Sequence, residues 1–122
     1  MEKYQIKVNS TTINVDHLGF EYSQLDGDDA GRSENGTMHR DVIGMQSKLY
    51  CGFDYKKGSE IKTLLNISRL KSANVTYIDP RVGETTKNMY VVSDKIEVLL
   101  LKGEYVAEPF EMRFIQMDVD SL

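Results

Sequence analysis

The chain has 122 residues, of which 40% are hydrophobic and 28% charged, and its formal net charge is -4. This length suits one domain, residues 1–122, around one hydrophobic core. An acidic chain without a run of lysine and arginine is a poor candidate for specific nucleic-acid binding, which needs a basic face. The longest apolar run, Val98–Leu101, is far too short to cross a bilayer, so we expect no membrane role.

The first quarter of the chain is predicted to form strands. Tyr4, Ile6 and Val8 alternate with polar residues, and a polar turn and the segment Thr12–Val15 follow, which indicates an N-terminal hairpin. Leu18–Ser23 continues the alternation and predicts a third strand.

The segment from Gln24 to Arg40 has no apolar periodicity. It contains several aspartates and glycines and an Asn35-Gly36 pair, so it predicts one long loop, or a flexible hairpin, at about residues 24–40. Loops this long inside a compact domain are usually functional or disordered.

One helix is expected in the second half. After the strand-like segment Asp41–Asp54, the Lys56-Lys57-Gly58 sequence breaks the pattern, and Ser59 is placed where an N-cap residue should be. Apolar residues then recur at helical spacing, so the pattern predicts a helix from about Glu60 to Leu70.

The rest of the chain again reads as strands separated by turns. We predict strands at Asn74–Ile78 and Thr85–Val92, a strand at Ile96–Leu101 that is apolar enough to be buried on both sides, and a last strand from Phe110. Such an order favours a mostly β fold, a β-sandwich or small barrel of antiparallel strands with one flanking α-helix.

Catalytic chemistry is not indicated, and we expect no enzyme. His17 and His39 lie far apart in the sequence, and Cys51 alternates with Leu49 and Phe53 as a small buried hydrophobe would. No set of metal or cofactor ligands is visible, because the Asp-rich stretch starting at Asp26 matches a calcium loop only at its first, third and sixth positions. We therefore expect neither a metal nor a cofactor.

The long loop is the best candidate for a contact between subunits. Its first part is acidic and its later part basic, so identical neighbours could present complementary patches to it in a ring. The competing interpretation is a solvated loop with internal salt bridges. The candidate contact residues are Asp26, Asp28, Asp29, Arg32, Asn35, Met38, His39 and Arg40.

The loop also carries a recognisable string. The sequence from Asp29 to Asp41, with its Gly31-Arg32 pair and the run Asn35-Gly36-Thr37-Met38, resembles a signature in a family of small tail components of tailed phages and prophages. The segments Val75–Pro80 and Phe110–Asp118 are similar to later parts of that family, and the predicted strand order looks like the tail-tube fold.

This resemblance implies a structural virion protein of the tail, made in the cytoplasm of the host bacterium. It implies self-association into a ring, hexameric or trimeric, that stacks on other tail, neck or tip proteins and encloses a lumen through which DNA could pass. The alternative is a small β-sandwich binding module at a tail tip that recognises a carbohydrate or a receptor. Its mark would be an exposed aromatic platform, for which the candidates are Tyr22, Tyr50, Tyr55, Tyr90 and Tyr105.

Overall fold

A computed structural model describes residues 2–26, 31–32, 38–39 and 42–120 of the chain. Twelve strands and one helix lie within these ranges. In chain order they are β1 (Gln5–Val8), β2 (Thr11–Asn14), β3 (His17–Asp26), β4 (Gly31–Arg32), β5 (Met38–His39), β6 (Val42–Phe53), β7 (Lys56–Lys57), α1 (Ser59–Ser68), β8 (Ser72–Asp79), β9 (Gly83–Ser93), β10 (Val98–Leu101), β11 (Glu104–Ala107) and β12 (Phe110–Gln116). The expected fold class, mostly antiparallel β with a single helix, is confirmed for the described part of the chain.

Seven strands form one antiparallel sheet in the order β2-β1-β8-β9-β12-β6-β3. The two edge strands, β2 and β3, follow each other in sequence with only Val15 and Asp16 between them. Three peptide links reach at most about 11 Å, whereas six strand spacings in a flat sheet measure about 29 Å. The sheet must therefore curl until its two edges approach each other.

Ring contacts across the interior give the same result. Phe20 on β3 and Tyr77 on β8 are four strands apart in the sheet, yet their ring centroids lie 6.0 Å apart. One face of the curled sheet thus closes on itself and encloses a single core. Its buried members include Ile6, Val8, Leu49, Cys51, Phe53, Val75, Tyr77, Met89, Met112 and Phe114.

The helix covers one side of this core with Leu64 and Ile67, while its third buried apolar residue, Ile61, lines a groove on its other side. Its predicted range is confirmed to within two residues, but its predicted cap is wrong. Ser59 is the first helical residue, and Gly58 takes the N-cap position with a φ of 65° and no side-chain capping bond. A glycine is suited to that position because a Cβ would disfavour a positive φ.

A second sheet of three strands lies beside the helix in the order β10-β11-β7. The sequence patterns missed two of these strands, since Lys56-Lys57 was expected to be a break and Glu104–Ala107 was not predicted at all. The prediction that β10 is buried on both sides is also wrong, because Leu100 and Leu101 are 60% and 53% exposed. The physical reason is that Leu100 and Leu101 point to opposite faces of the strand, and neither face is covered at this end of the hairpin.

The predicted loop starts later than expected. Gln24, Leu25 and Asp26 belong to β3 and pair with β6, so the strands continue past the predicted boundary. Further along, Gly31↔His39 and Arg32↔Met38 pair as the short strands β4 and β5. The connection between Asp26 and Val42 therefore contains a small antiparallel pair, which agrees with the hairpin interpretation.

Candidate assembly surfaces

The structure describes only some of the residues that were predicted to contact a neighbouring subunit. Asp28, Asp29, Asn35 and Arg40 lie outside the described residues. Asp26, Arg32, Met38 and His39 lie within strands, with only their backbone described. All eight belong to, or adjoin, the same connection between β3 and β6. Their role in subunit contact therefore stays a prediction.

The base of this connection is a long two-stranded ribbon. Strand β6 pairs with β3 from Val42 to Gly52, but it pairs with β12 only from Lys48 to Phe53. Beyond Lys48 the two strands continue together for six residues of β6, about 20 Å of extended chain. The free edge of β3 has no neighbouring strand in the described chain. We call the segments Tyr22–Asp26 and Val42–Ser47 the ribbon.

The end of the described chain holds the ribbon to the body. Asp120 and Met45 exchange two backbone hydrogen bonds of 2.9 Å each. The Asp120 carboxylate accepts a 3.0 Å hydrogen bond from Lys87 on β9, another from Gln116 on β12, and a longer one from the Tyr22 hydroxyl on β3. One carboxylate thereby joins three strands at the point where the ribbon leaves the sheet.

Several buried polar groups surround this carboxylate. Ser47 is fully buried, and its backbone N–H donates to the Gln116 side chain at 2.9 Å. Lys87 also donates to the Ser47 hydroxyl at 3.2 Å. The Tyr77 hydroxyl and one oxygen of Asp79 are buried without a hydrogen-bond partner in the described chain. The core under the ribbon is thus polar, unlike the apolar interior elsewhere.

The charges in this cluster stabilise each other. Burial alone would raise the pKa of the Asp120 carboxyl, but hydrogen bonds from Lys87 and Gln116 outweigh it and lower that pKa below its ordinary value. Burial alone would likewise lower the pKa of Lys87, but the Asp120 carboxylate outweighs it and raises that pKa. Both shifts favour the charged pair at neutral pH.

The Asp120 shift predicts a loss of stability in acid. Since the pKa of Asp120 is lower in the folded state, its contribution is present above the unfolded pKa and is lost as pH falls through the folded value, below about pH 4. Asp120→Asn should therefore lower the urea midpoint of unfolding at pH 7. As the pH is lowered below 5, the midpoint of this variant should fall less steeply than that of the wild type. The exposed Asp118 offers a matched control, and D118N should leave both quantities near the wild type. Equal pH profiles for D120N and wild type would contradict this assignment.

A second surface lies on the far side of the helix. A groove of about 660 Å³ runs between α1 and the β10–β11 hairpin, and its apolar walls come from Ile61, Leu65, Val98 and Tyr105. Leu100 pairs across the hairpin with Tyr105, and both side chains are about 60% exposed. We call this region the helix–hairpin groove. Contiguous apolar surface of this kind commonly marks an interaction site.

The other candidate chemical groups are placed as follows. Cys51 is fully buried, as predicted, and burial raises its pKa to about 12. The exposed His17 lies 3.6 Å from the carboxylate of Asp54. Within the described ranges, no group of three or more His, Cys, Asp or Glu residues is arranged to hold a metal ion. No helix in that part of the chain is long and apolar enough to span a membrane.

The candidate aromatic platform is dispersed. Tyr22 and Tyr50 are half-buried, and the Tyr50 hydroxyl donates to Glu21 at 2.6 Å. The exposed Tyr90 and Tyr105 lie on β9 and β11, the exposed Tyr55 lies between β6 and β7, and none of the three belongs to a ring pair within the described residues. These three side chains therefore do not stack into one surface.

Sequence reasoning missed both the Asp120 cluster and the helix–hairpin groove. One signal for the cluster was available, because Lys87 is two residues from the buried Met89 and so lies on the core side of β9. A lysine at such a position needs a partner. The groove had no comparable signal in the sequence. The apolar run Val98–Leu101 is as typical of a strand buried in a core as of one that lines an exposed groove.

Neither a protein-family model nor a curated protein matches the sequence. Among solved structures, the chain is similar to a chain from the virion of a native gene transfer agent particle, with a TM-score of 0.51, 12% identity, and coverage of 93% of this chain and 94% of that one. It is also similar to a chain from the tail of an empty gene transfer agent particle with C6 symmetry, with a TM-score of 0.51, 12% identity, and coverage of 98% and 96%. At this identity the similarity establishes that the chain shares a fold with components of phage-like tail and virion particles.

Proposed function

We propose that this chain is a structural subunit of a phage-type tail, which associates with itself in a ring and stacks on other tail, neck or tip proteins. The observation that carries the proposal is the fold shared over nearly the whole chain with a component of a tail that has C6 symmetry. A match that covers 98% of one chain and 96% of the other leaves no large part of either fold unmatched.

The ribbon supports the proposal. A two-stranded ribbon is at best marginally stable in water by itself, and here its outer end extends past β12 with the free edge of β3 exposed. Contact with a neighbouring subunit would supply the missing support. On this proposal the contact residues are Asp26, Asp28, Asp29, Arg32, Asn35, Met38, His39 and Arg40, as the charge pattern of the connection suggests.

Surface chemistry agrees with a role in assembly. Large apolar side chains remain exposed around the helix–hairpin groove, and a ring would cover such surface. The acidic net charge suits a ring whose lumen lets DNA slide without adhering. The protein would then reside in the virion, in its tail, after synthesis in the host cytoplasm.

The mass of the purified protein in solution tests the proposal. We expect light scattering to report a closed oligomer whose population rises with protein concentration, and negative-stain electron microscopy to show rings with a central opening. Each protomer should share an interface of well over about 1,000 Å² with its neighbour. A protein that stays monomeric at high concentration, without rings on the grid, would contradict the proposal.

A further inference from the structure

Each sheet of the described chain ends in two edge strands, and the outer edges of β3 and β10 differ in kind. The outer edge of β3 is open along the sheet and into the ribbon, and the outer edge of β10 is open beside the helix–hairpin groove. An open edge presents a row of backbone N–H and C=O groups that can pair with another strand. Since the two edges do not pair with each other within one chain, any pairing between them joins two copies.

The β10 edge is unusually apolar for an exposed strand. Natural edge strands are commonly protected by charged side chains or proline, but β10 consists of one valine and three leucines. At about 200 Å² for a large side chain, the exposed parts of Leu65, Leu100 and Tyr105, on the groove side of the hairpin, present roughly 300 Å² of mainly apolar surface. A stable interface covers about 800 Å² on each partner. This surface is thus well under half of one partner's share of a stable interface, and pairing with the added strand supplies contacts for the rest.

We infer that the ribbon of one copy seats on the helix–hairpin groove of the next copy, with the β3 edge at Ser23–Leu25 pairing with the β10 edge. Backbone hydrogen bonds between the two edges supply affinity, as in other cases of strand addition. The half-buried Leu25 brings an apolar side chain to the leucines of β10. The ribbon gains the third strand that it lacks beyond β12.

This pairing joins two different surfaces of the same chain. Such a head-to-tail contact is heterologous, and it generates a ring when the rotation between neighbouring copies closes. A contact between two β10 edges would instead be two-fold and would stop at a dimer. The inference rests on the proposed ring, and it names which surfaces meet within that ring.

Mixed cross-linking tests the inference. One variant carries Gln24→Cys on the exposed ribbon, and the other carries Leu101→Cys on β10. The native Cys51 should not react because it is fully buried. After mixing and reassembly, a short bis-maleimide should link the two variants into a dimer, because a fixed interface holds the thiols at millimolar effective concentration. We expect about tenfold or more dimer in the mixture than with either variant alone.

The other outcomes separate the inference from the proposed function. Equal cross-linking of Leu101→Cys by itself would indicate a two-fold β10 contact and overturn the inference. Rings of normal mass without linkage in the mixture would also overturn it while leaving the proposed function intact. If neither variant nor the wild-type protein forms an oligomer, the proposed function fails and the inference fails with it.

Discussion

Removal of residues 27–37 is expected to abolish ring formation while leaving a folded monomer. The deletion shortens the connection between Asp26 and Val42 from fifteen residues to four, which is ample for joining two paired strands. Loop-closure entropy then favours the variant by about 1 kcal/mol, so its free energy of unfolding should equal or slightly exceed that of the wild type. Light scattering and urea unfolding of the same sample measure both quantities.

A same-length variant is the matched control for this deletion. Replacing residues 27–37 with a Gly/Ser sequence keeps the span of the connection but removes its charges, including Asp28, Asp29 and Arg32. If side-chain contacts join the subunits, this variant should also fail to assemble. If the Gly/Ser variant assembles while the deletion variant does not, assembly depends on the length of the connection and not on its charges. Normal rings from the deletion variant would show that the connection has no part in subunit contact.

A methyl group at Gly44 is expected to detach the end of the chain from the ribbon. A Cβ built there overlaps the Asp120 carbonyl oxygen and lies 2.8 Å from a methyl carbon of Val119. Because the overlapping carbonyl oxygen belongs to the backbone, it can move only if the chain around Asp120 is displaced. Overpacking of this kind costs about 1–3 kcal/mol. The displaced Asp120 would also lose its hydrogen bonds to Met45, Lys87 and Gln116, at about 1 kcal/mol each.

Gly19 provides the control for the Gly44 substitution. It lies on β3 opposite Tyr50, and a Cβ there would meet ordinary contacts of 3.5 Å or more. Alanine costs less conformational entropy on folding than glycine, so Gly19→Ala should be neutral or stabilising by up to about 1 kcal/mol. Gly44→Ala should lower the urea midpoint clearly, and G19A should not. Similar midpoints for the two variants would mean that the end of the chain is not held as the structure shows.

The sequence was informative wherever burial depends on local alternation. Phe110, Met112 and Phe114 alternate with exposed or half-buried residues in β12, as their spacing predicted. The helix was also recognisable, since Ile61 and Leu64 recur with its period and Gly58 precedes it. The fold class followed from these patterns.

The assembly surfaces were only partly predictable. Asp-rich and Gly-rich composition identified the connection after β3 as a candidate contact, although it placed the start of the loop three residues too early. Composition could not indicate that β3 and β6 continue as a ribbon past the sheet. That feature depends on where β12 stops pairing with β6, which is a relation between segments about sixty residues apart.

The sequence by itself determined the alternating strands, the single helix, the burial of Cys51 and the long polar connection, because each depends on neighbouring residues. Only the tertiary structure decided which strands lie at sheet edges. Val98–Leu101 has the composition of a core strand, yet it lies in the small second sheet, where Leu100 and Leu101 are exposed on opposite faces. Lys87 and Asp120 are thirty-three residues apart and form a pair only because the curled sheet brings β9 and the end of the chain to one place. Strand order is set by long-range pairing, and local periodicity carries no information about it.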